Sequence, residues 1–550
     1  MNKKILLLTA YFLAFFGPSF SQRLAPEKYW VQLMDKKGTK YSINIPNEFL
    51  SERSILRREK FDIKITEEDL PVSAAYIDSI LSTGVKIHGT TKWFNAIIIE
   101  TTDSVALEKI SKFHFVKDFN TNYSNFSSVS REEGHFHDSP NFDKKYHESY
   151  FYGAASSQIS ILGGTFLHNF GYKGEDILIA VFDAGFNKVD ELKAFSHLWE
   201  ENRIKSYRDF VNPSSNIFEE STHGLAVLST LAAYIPDTFV GTAPKASYML
   251  LRSEEAAREN KAEEAYWILA AEYADSLGAD IITSSLGYND FPTSDKMNYN
   301  FDDLNGDSAL VTRAAEKAFE KGMVIVSSAG NEGNNDSGRI TPPADGPNVL
   351  AVGSIDTAYN ITSYSSRGNT YDGRIKPDVM AVGFRTKIIN SIGNPSEAYG
   401  TSFAAPQVAG LIACLMQATS DKTHHEIIQA VRKSSSQYQN PDSISGYGIP
   451  NFIHALWELK KDSGENQHHG FIAHPNPFTA IVELQTTSPD IGIQQIDIFS
   501  SEGKLIHSNN RIWQPGEKIM ISELQKYSPG VYYLVAHSTE GEIVTKLIKQ

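Results

Sequence analysis

Cysteine is almost missing: among 550 residues there is one, Cys414. A lone thiol excludes an intrachain disulfide and any Cys-rich zinc site. It falls among Leu411, Ile412, Leu415 and Met416, so it reads as a small core residue. Positive charge is also scarce. Lys and Arg number 51 against 66 Asp and Glu, a formal net charge of −15, so no phosphate-neutralising surface is on offer and nucleic acid is excluded as the main partner. After the first twenty residues no apolar run is long enough for a transmembrane span in the mature chain. The early run, Ile5 to Phe16, follows Lys3 and Lys4 and precedes Pro18 and Ser19-Phe20-Ser21, the layout of an export signal cleaved after Ser21.

What is present is 41% hydrophobic and long enough for several domains. From Lys28 to about Phe119, strands at Tyr29 to Leu33, Val85 to His88 and Asn95 to Glu100 mix with helices at Ser51 to Lys60, Ala74 to Leu81 and Val105 to Lys112, a small α+β unit. Asn120 to about Tyr150 is rich in Ser, Asn and His and reads as an exposed linker. Its His135, His137, Asp138 and His147 are too loosely spaced to fix a coordination geometry, and a solvated loop is preferred to a metal site.

Apolar strands and amphipathic helices then alternate to about Glu458. Strands are expected at Ile177 to Phe182, Ser247 to Leu251, Ile281 to Ser284, Met323 to Ser327 and Val349 to Val352. Helices are expected at Lys261 to Leu277, Ser308 to Lys321 and His424 to Lys433. This is the α/β pattern of a mostly parallel sheet covered by helices on both faces. A polar linker near 461–470 leads to strands at Ile481 to Leu484, Ile496 to Phe499, Val531 to Val535 and Ile543 to Thr545, a small all-β region.

Chemistry gathers in the middle. Gly400-Thr401-Ser402-Phe403-Ala404-Ala405-Pro406 is a turn running into a small-residue helix, with Pro406 assigned to its first turn, and Ser402 is the candidate nucleophile. Asp183 ends the buried run Ile177 to Phe182, and His223 opens the apolar helix Ser221 to Leu228. The three strings and their order resemble the subtilisin-like serine peptidases, or subtilases. The resemblance implies an Asp183, His223 and Ser402 triad. It implies an oxyanion donor at Asn331, within Ser-Ala-Gly-Asn-Glu-Gly, beside the Ser402 amide. It also implies substrate pairing along Ser284, Ser285, Leu286 and Gly287, and along Ser328, Ala329 and Gly330. Gly241-Thr242-Ala243-Pro244, Lys376-Pro377-Asp378-Val379 and Gly446-Tyr447-Gly448 extend the likeness across residues 151–460. Leu251-Arg252-Ser253-Glu254 and Ser284 to Tyr288 are similar to subtilases of Bacteroidetes-type bacteria.

Three positions depart from the pattern. Ala184 and Leu225 stand where a hydroxyl residue is usual, and lose groups that could support the triad. Tyr288 replaces a common Gly, and either narrows the cleft or shields a loop.

The likeness also covers the ends. Residues 22–119 are similar in layout to subtilase propeptides, with maturation expected in 120–150. His474-Pro475-Asn476-Pro477-Phe478, Pro529-Gly530-Val531-Tyr532 and Lys546 to Gln550 make residues 471–550 resemble the C-terminal sorting domain of type IX secretion. Together they imply a secreted or surface-attached endopeptidase made as a zymogen, with protein substrates, its own propeptide and the secretion machinery as partners. The competing reading is a surface binding protein that keeps this fold with weak or no turnover; a general esterase comes third. No cofactor is expected for the chemistry. Asp302-Asp303-Leu304-Asn305-Gly306-Asp307 offers the oxygen ligands calcium favours, without EF-hand spacing, and an acidic helix-leading turn is preferred.

Overall fold

The computed structural model describes residues 23–118 except 26, 152–461 except 257, 258, 290, 292–297, 336 and 337, and 471–550 except 487–491, 502, 514–516, 539 and 540. The expected export signal, the 120–150 linker with its histidines, and residues 462–470 lie outside the described residues. Contacts along the chain define two compact units, residues 1–43 with 66–126, and residues 44–65 with 127–550.

The first unit is an antiparallel sheet in the order Arg23–Ala25, Lys28–Leu33, Ala96–Glu100, Lys86–Thr91, with Val116–Asp118 also on Lys28–Leu33. Alternating Tyr29, Val31 and Leu33 pack with Ile97 and Ile99 against Ile80, Ala106 and Ile110 of the helices Ala74–Leu81 and Ser104–Ser111. Asp103 caps the second helix through its Oδ1, which accepts from Val105 N at 2.8 Å.

At the centre of the second unit lie seven parallel strands: β1 (Leu178–Asp183), β2 (Ile204–Asp209), β3 (Ser247–Arg252), β4 (Ile281–Ser284), β5 (Val324–Ser328), β6 (Leu350–Ile355) and β7 (Val379–Val382). Their spatial order is β7-β6-β5-β4-β1-β3-β2. Every residue of β1, β4, β5, β6 and β7 is buried, as a parallel sheet covered on both faces requires. The chain places β2 and then β3 on one side of β1 and β4 to β7 on the other, so the order reverses there and leaves a crevice at the carboxyl ends of β1 and β4.

The helices of this unit include α1 (Glu52–Lys60), α2 (His223–Ala232), α3 (Ala262–Leu277), α4 (Leu310–Glu320), α5 (Thr401–Ala418) and α6 (His424–Lys433). Helix α5 is long and apolar enough to cross a membrane, but it is buried as a core helix against α2 and β4 to β7. Cys414 on it is fully buried, with Sγ 3.2 Å from Thr242 O.

Strands β2 and β7 are not among those the sequence pattern marks. Strand β2 (Ile-Lys-Ser-Tyr-Arg-Asp) buries only its two ends, as an edge strand can, and so carries no apolar run. Pro406 lies beyond the first turn, because α5 already begins at Thr401. The C-terminal region is antiparallel, one sheet of three strands and one of four, around Val482, Leu484, Ile496, Ile498, Trp513, Leu534 and Leu547. Its strands Phe471–His474, Leu505–Asn509 and Ile519–Ile521 add to those the alternation marks.

Candidate active site

Asp183 is the last residue of β1 and is fully buried. Its Oδ1 accepts two hydrogen bonds, from Ala184 N at 2.7 Å and from His223 Nδ1 at 2.8 Å. The bond from Nδ1 fixes the tautomer that leaves Nε2 with a free lone pair. His223 is the first residue of α2, and its side chain is about a quarter exposed. The approach of β1 to α2 is tight: a Cβ on Gly224 would overlap Gly185 O and come 2.9 Å from Asp183 Cβ. The other oxygen, Asp183 Oδ2, is buried without a hydrogen-bond partner.

The loop after β1 is stapled from below. Arg252, at the end of β3 and in register with Asp183, donates through Nε to Ala184 O at 2.9 Å. Its Nη1 reaches Asp209 Oδ2 at 2.8 Å, and its Nη2 lies 3.3 Å from Glu220, three residues before His223. One buried guanidinium thus joins the ends of β1, β2 and β3 to the segment leading into α2.

Ser402 sits in the first turn of α5, whose leading amides have no intrahelical acceptors, and its ring-bearing neighbour Phe403 lies 5.5 Å from the His223 ring. The Ser402 hydroxyl donates to Ser285 O at 3.2 Å, and among the described residues no hydrogen bond joins it to His223. Ser285 Oγ in turn donates to Ser402 O at 2.7 Å. Asn331 is exposed just past β5, and its Oδ1 accepts from Thr401 N at 3.0 Å and Thr401 Oγ1 at 3.1 Å. That arrangement turns the Asn331 amide nitrogen away from Thr401 as a donor.

Of the two segments expected to pair with substrate, Ser284 closes β4 and Ser328 closes β5. Trp267 of α3 donates to Ser284 Oγ at 3.1 Å. Leu286 and Ala329 are buried, while Gly287 and Gly330 are part-exposed. Gly330 has φ +107° and its carbonyl accepts from Ser366 N at 3.0 Å, a conformation L side chains rarely adopt. Tyr288 is fully buried, with its N donating to Pro342 O at 2.9 Å, so it packs under the segment.

Sequence reasoning missed Thr341. Its N donates to Ala329 O at 3.1 Å, and its buried Oγ1, without a partner, fills the space where side chains on Gly287 or Gly330 would go. Reading Gly287 and Gly330 as room for a neighbouring side chain would have pointed to it.

The acidic turn is used internally. Asp303 Oδ2 accepts from Asn300 N at 2.8 Å, and Asn305 Oδ1 from Asp307 N and Ser308 N at 2.9 Å. Among the described residues no group of three or more His, Cys, Asp or Glu is placed to hold a metal ion.

Comparison with known proteins identifies the family. The subtilase family profile matches residues 174–448, half of the chain. A Bacteroidota propeptide domain of S8 peptidases matches residues 28–137, and a secretion system C-terminal sorting domain matches residues 473–550. Subtilisin E of Bacillus subtilis (strain 168) is 28% identical over 383 residues, 69% of this chain and 85% of the relative. Subtilisin of Bacillus pumilus is 29% identical over 297 residues, 53% of this chain and 95% of the relative. Among solved structures, MycP1 from the ESX-1 type VII secretion system is 21% identical with a TM-score of 0.47, over 60% of this chain and 91% of that one. The sorting domain assigns the protein to the secreted or cell-surface fraction. The chain belongs to the subtilase family, and it is a serine endopeptidase that carries its own propeptide domain and a secretion sorting domain.

Proposed function

We propose that the protein cleaves peptide bonds through Asp183, His223 and Ser402 by way of an acyl-enzyme, and that it is made as a zymogen. The observation that carries the reading is the 2.8 Å bond from His223 Nδ1 to buried Asp183 Oδ1, beside the first turn of α5. Rotation about the Ser402 Cα–Cβ bond turns the hydroxyl from Ser285 O toward His223. As Ser402 Oγ attacks the peptide carbonyl carbon, His223 Nε2 takes its proton and Asp183 stabilises the imidazolium. The oxyanion is held by the Asn331 amide and the Ser402 N–H. His223 then gives the proton to the leaving amine, and the same base activates the water that frees the acid. No step calls for a cofactor. Extended substrate pairs main chain to main chain with Ser284–Gly287 and Ser328–Gly330.

Processing between residues 120 and 150 cuts the covalent link between the propeptide and the enzyme. An export signal at 1–21 takes the chain across the inner membrane, and the type IX route takes it across the outer one. Hydrolysis of casein by the purified exported protein, beside Ser402→Ala, tests this reading. Fragments from the parent alone support it; equal inertness of both after removal of the propeptide by other means overturns it.

A further inference from the structure

Residues 44–65 fall within the propeptide match, yet they pack as part of the peptidase unit. Helix α1 in this segment, capped by Ser51, carries Arg53, Arg57 and Arg58, and the last two are buried. They meet the C-terminal ends of two peptidase helices. From α3 and the turn after it, Ser276 O accepts from Ser51 N at 2.8 Å, Gly278 O from Arg53 Nε at 2.9 Å, and Ala279 O from Arg57 Nη1. Just past α4, Lys321 O accepts from Arg57 Nε at 3.0 Å. Ser276 O and Lys321 O are carbonyls at helix ends, at the negative pole of the helix dipole, and the positive charge of α1 suits that pole.

Fully buried Asp275 completes the site. Its Oδ1 accepts from Arg57 Nη2 at 2.6 Å, and its Oδ2 from Arg58 Nη2 at 3.0 Å. The fit is close enough that a Cβ on Gly278 would stand 2.8 Å from Ser54 N. Apolar contact continues past the helix: Phe61 lies 5.2 Å from the His424 ring at the start of α6, and His424 lies 4.4 Å from Phe319 of α4.

The docking face is at the amino ends of the strands. Arg53 pairs with Asp280, which immediately precedes β4, and Asp280 Oδ2 accepts from Leu178 N, the first residue of β1, at 2.8 Å. Asp183 and the substrate segments lie at the carboxyl ends of those same strands. A segment bound here leaves the cleft open, whereas separating it would break a buried ion-pair cluster.

We propose that residues 44–65 stay on the active peptidase after the N-terminal region is cut, as a non-covalent staple across the ends of α3 and α4. The proposal rests on the reading of a processed zymogen, and its test is arranged to be independent of turnover. The full chain carrying Ser402→Ala and an inserted site for a sequence-specific protease within residues 120–150 is cut and run on size exclusion at micromolar concentration. The two fragments are expected to co-elute. With Arg57→Ala and Arg58→Ala added, the N-terminal fragment is expected to separate, its affinity weakened at least about a hundredfold. Separation of the parent fragments overturns the proposal, and so does undiminished co-elution in the double variant.

If the double variant fails to fold, hydrogen exchange on the cut parent decides: Glu52–Lys60 amides keep their protection if the staple holds, and lose it if not. In the chain with Ser402 intact, the cut complex is expected to react with a fluorophosphonate. Reaction only after the fragment is stripped away overturns a staple on the active enzyme. No reaction in either state counts against the peptidase reading and leaves the co-elution result standing.

Discussion

Ser285 and Ser402 are hydrogen-bonded in both directions, Oγ of Ser285 to the carbonyl of Ser402 at 2.7 Å and Oγ of Ser402 to the carbonyl of Ser285 at 3.2 Å. The cause of the first bond is Pro406. It has no N–H to give to the carbonyl four residues back in α5, and Ser285 takes its place. Ser285→Ala is expected to leave that buried carbonyl unpaired and lower stability by about 1–3 kcal/mol, read by urea unfolding of the Ser402→Ala background. An unchanged midpoint would contradict the assignment.

Arg252 reaches the proposed triad only through the backbone, holding Ala184 O while paired with Asp209 and Glu220. Arg252→Met is expected to lower kcat by about tenfold to a hundredfold with little change in KM, since the cleft segments are untouched. Arg252→Lys keeps the charge but loses the fork and should recover only part. A rise in KM at constant kcat would place its effect elsewhere.

Thr341 occupies the space between Gly287 and Gly330. Thr341→Ala opens that space and should raise kcat/KM for peptides with a large side chain beside the scissile bond, relative to small ones, by about tenfold or more. A panel of peptides differing at that one residue checks it; uniform changes across the panel would refute it.

His168 is buried, its Nε2 donating to Thr242 O at 2.8 Å and its Nδ1 without a partner. Burial lowers its pKa from 6.5 to about 4, against the opposing bond to Thr242. Because the folded value is depressed, the unfolded chain binds the proton first as pH falls. Stability present above pH 6.5 is therefore lost progressively toward pH 4, by about 3 kcal/mol. His168→Gln keeps a donor and removes the titration, so its unfolding free energy should fall less over that interval. An identical slope for both proteins would exclude His168 as the source.

Much of this architecture is legible because the signals are local. The apolar run Ile177 to Phe182 gives β1, and the limits expected for β1 and β4 agree with those observed within a residue, as do those of α6. The chemical groups sit at strand and helix ends, which short strings mark well. Long-range relationships are silent. Arg252 reads as one charge after an apolar strand, and nothing local tells that it reaches Ala184 and Glu220. Likewise α1 reads as a basic helix among its neighbours, whereas its partners Asp275 and Ala279 lie more than two hundred residues away. Pro406 shows how a boundary error hides chemistry: assigned to a first turn it has no consequence, but inside α5 it explains the Ser285 bond.

The central claim is that Ser402 is a nucleophile activated by His223. The most direct measurement is the mass of the protein after brief exposure to a fluorophosphonate, with the modified residue located by fragmentation, in the parent and in His223→Ala. One adduct on Ser402 in the parent, formed at least about a thousandfold more slowly in the variant, is the expected result. No adduct in the parent, an adduct on another residue, or equal rates in the two proteins would contradict it.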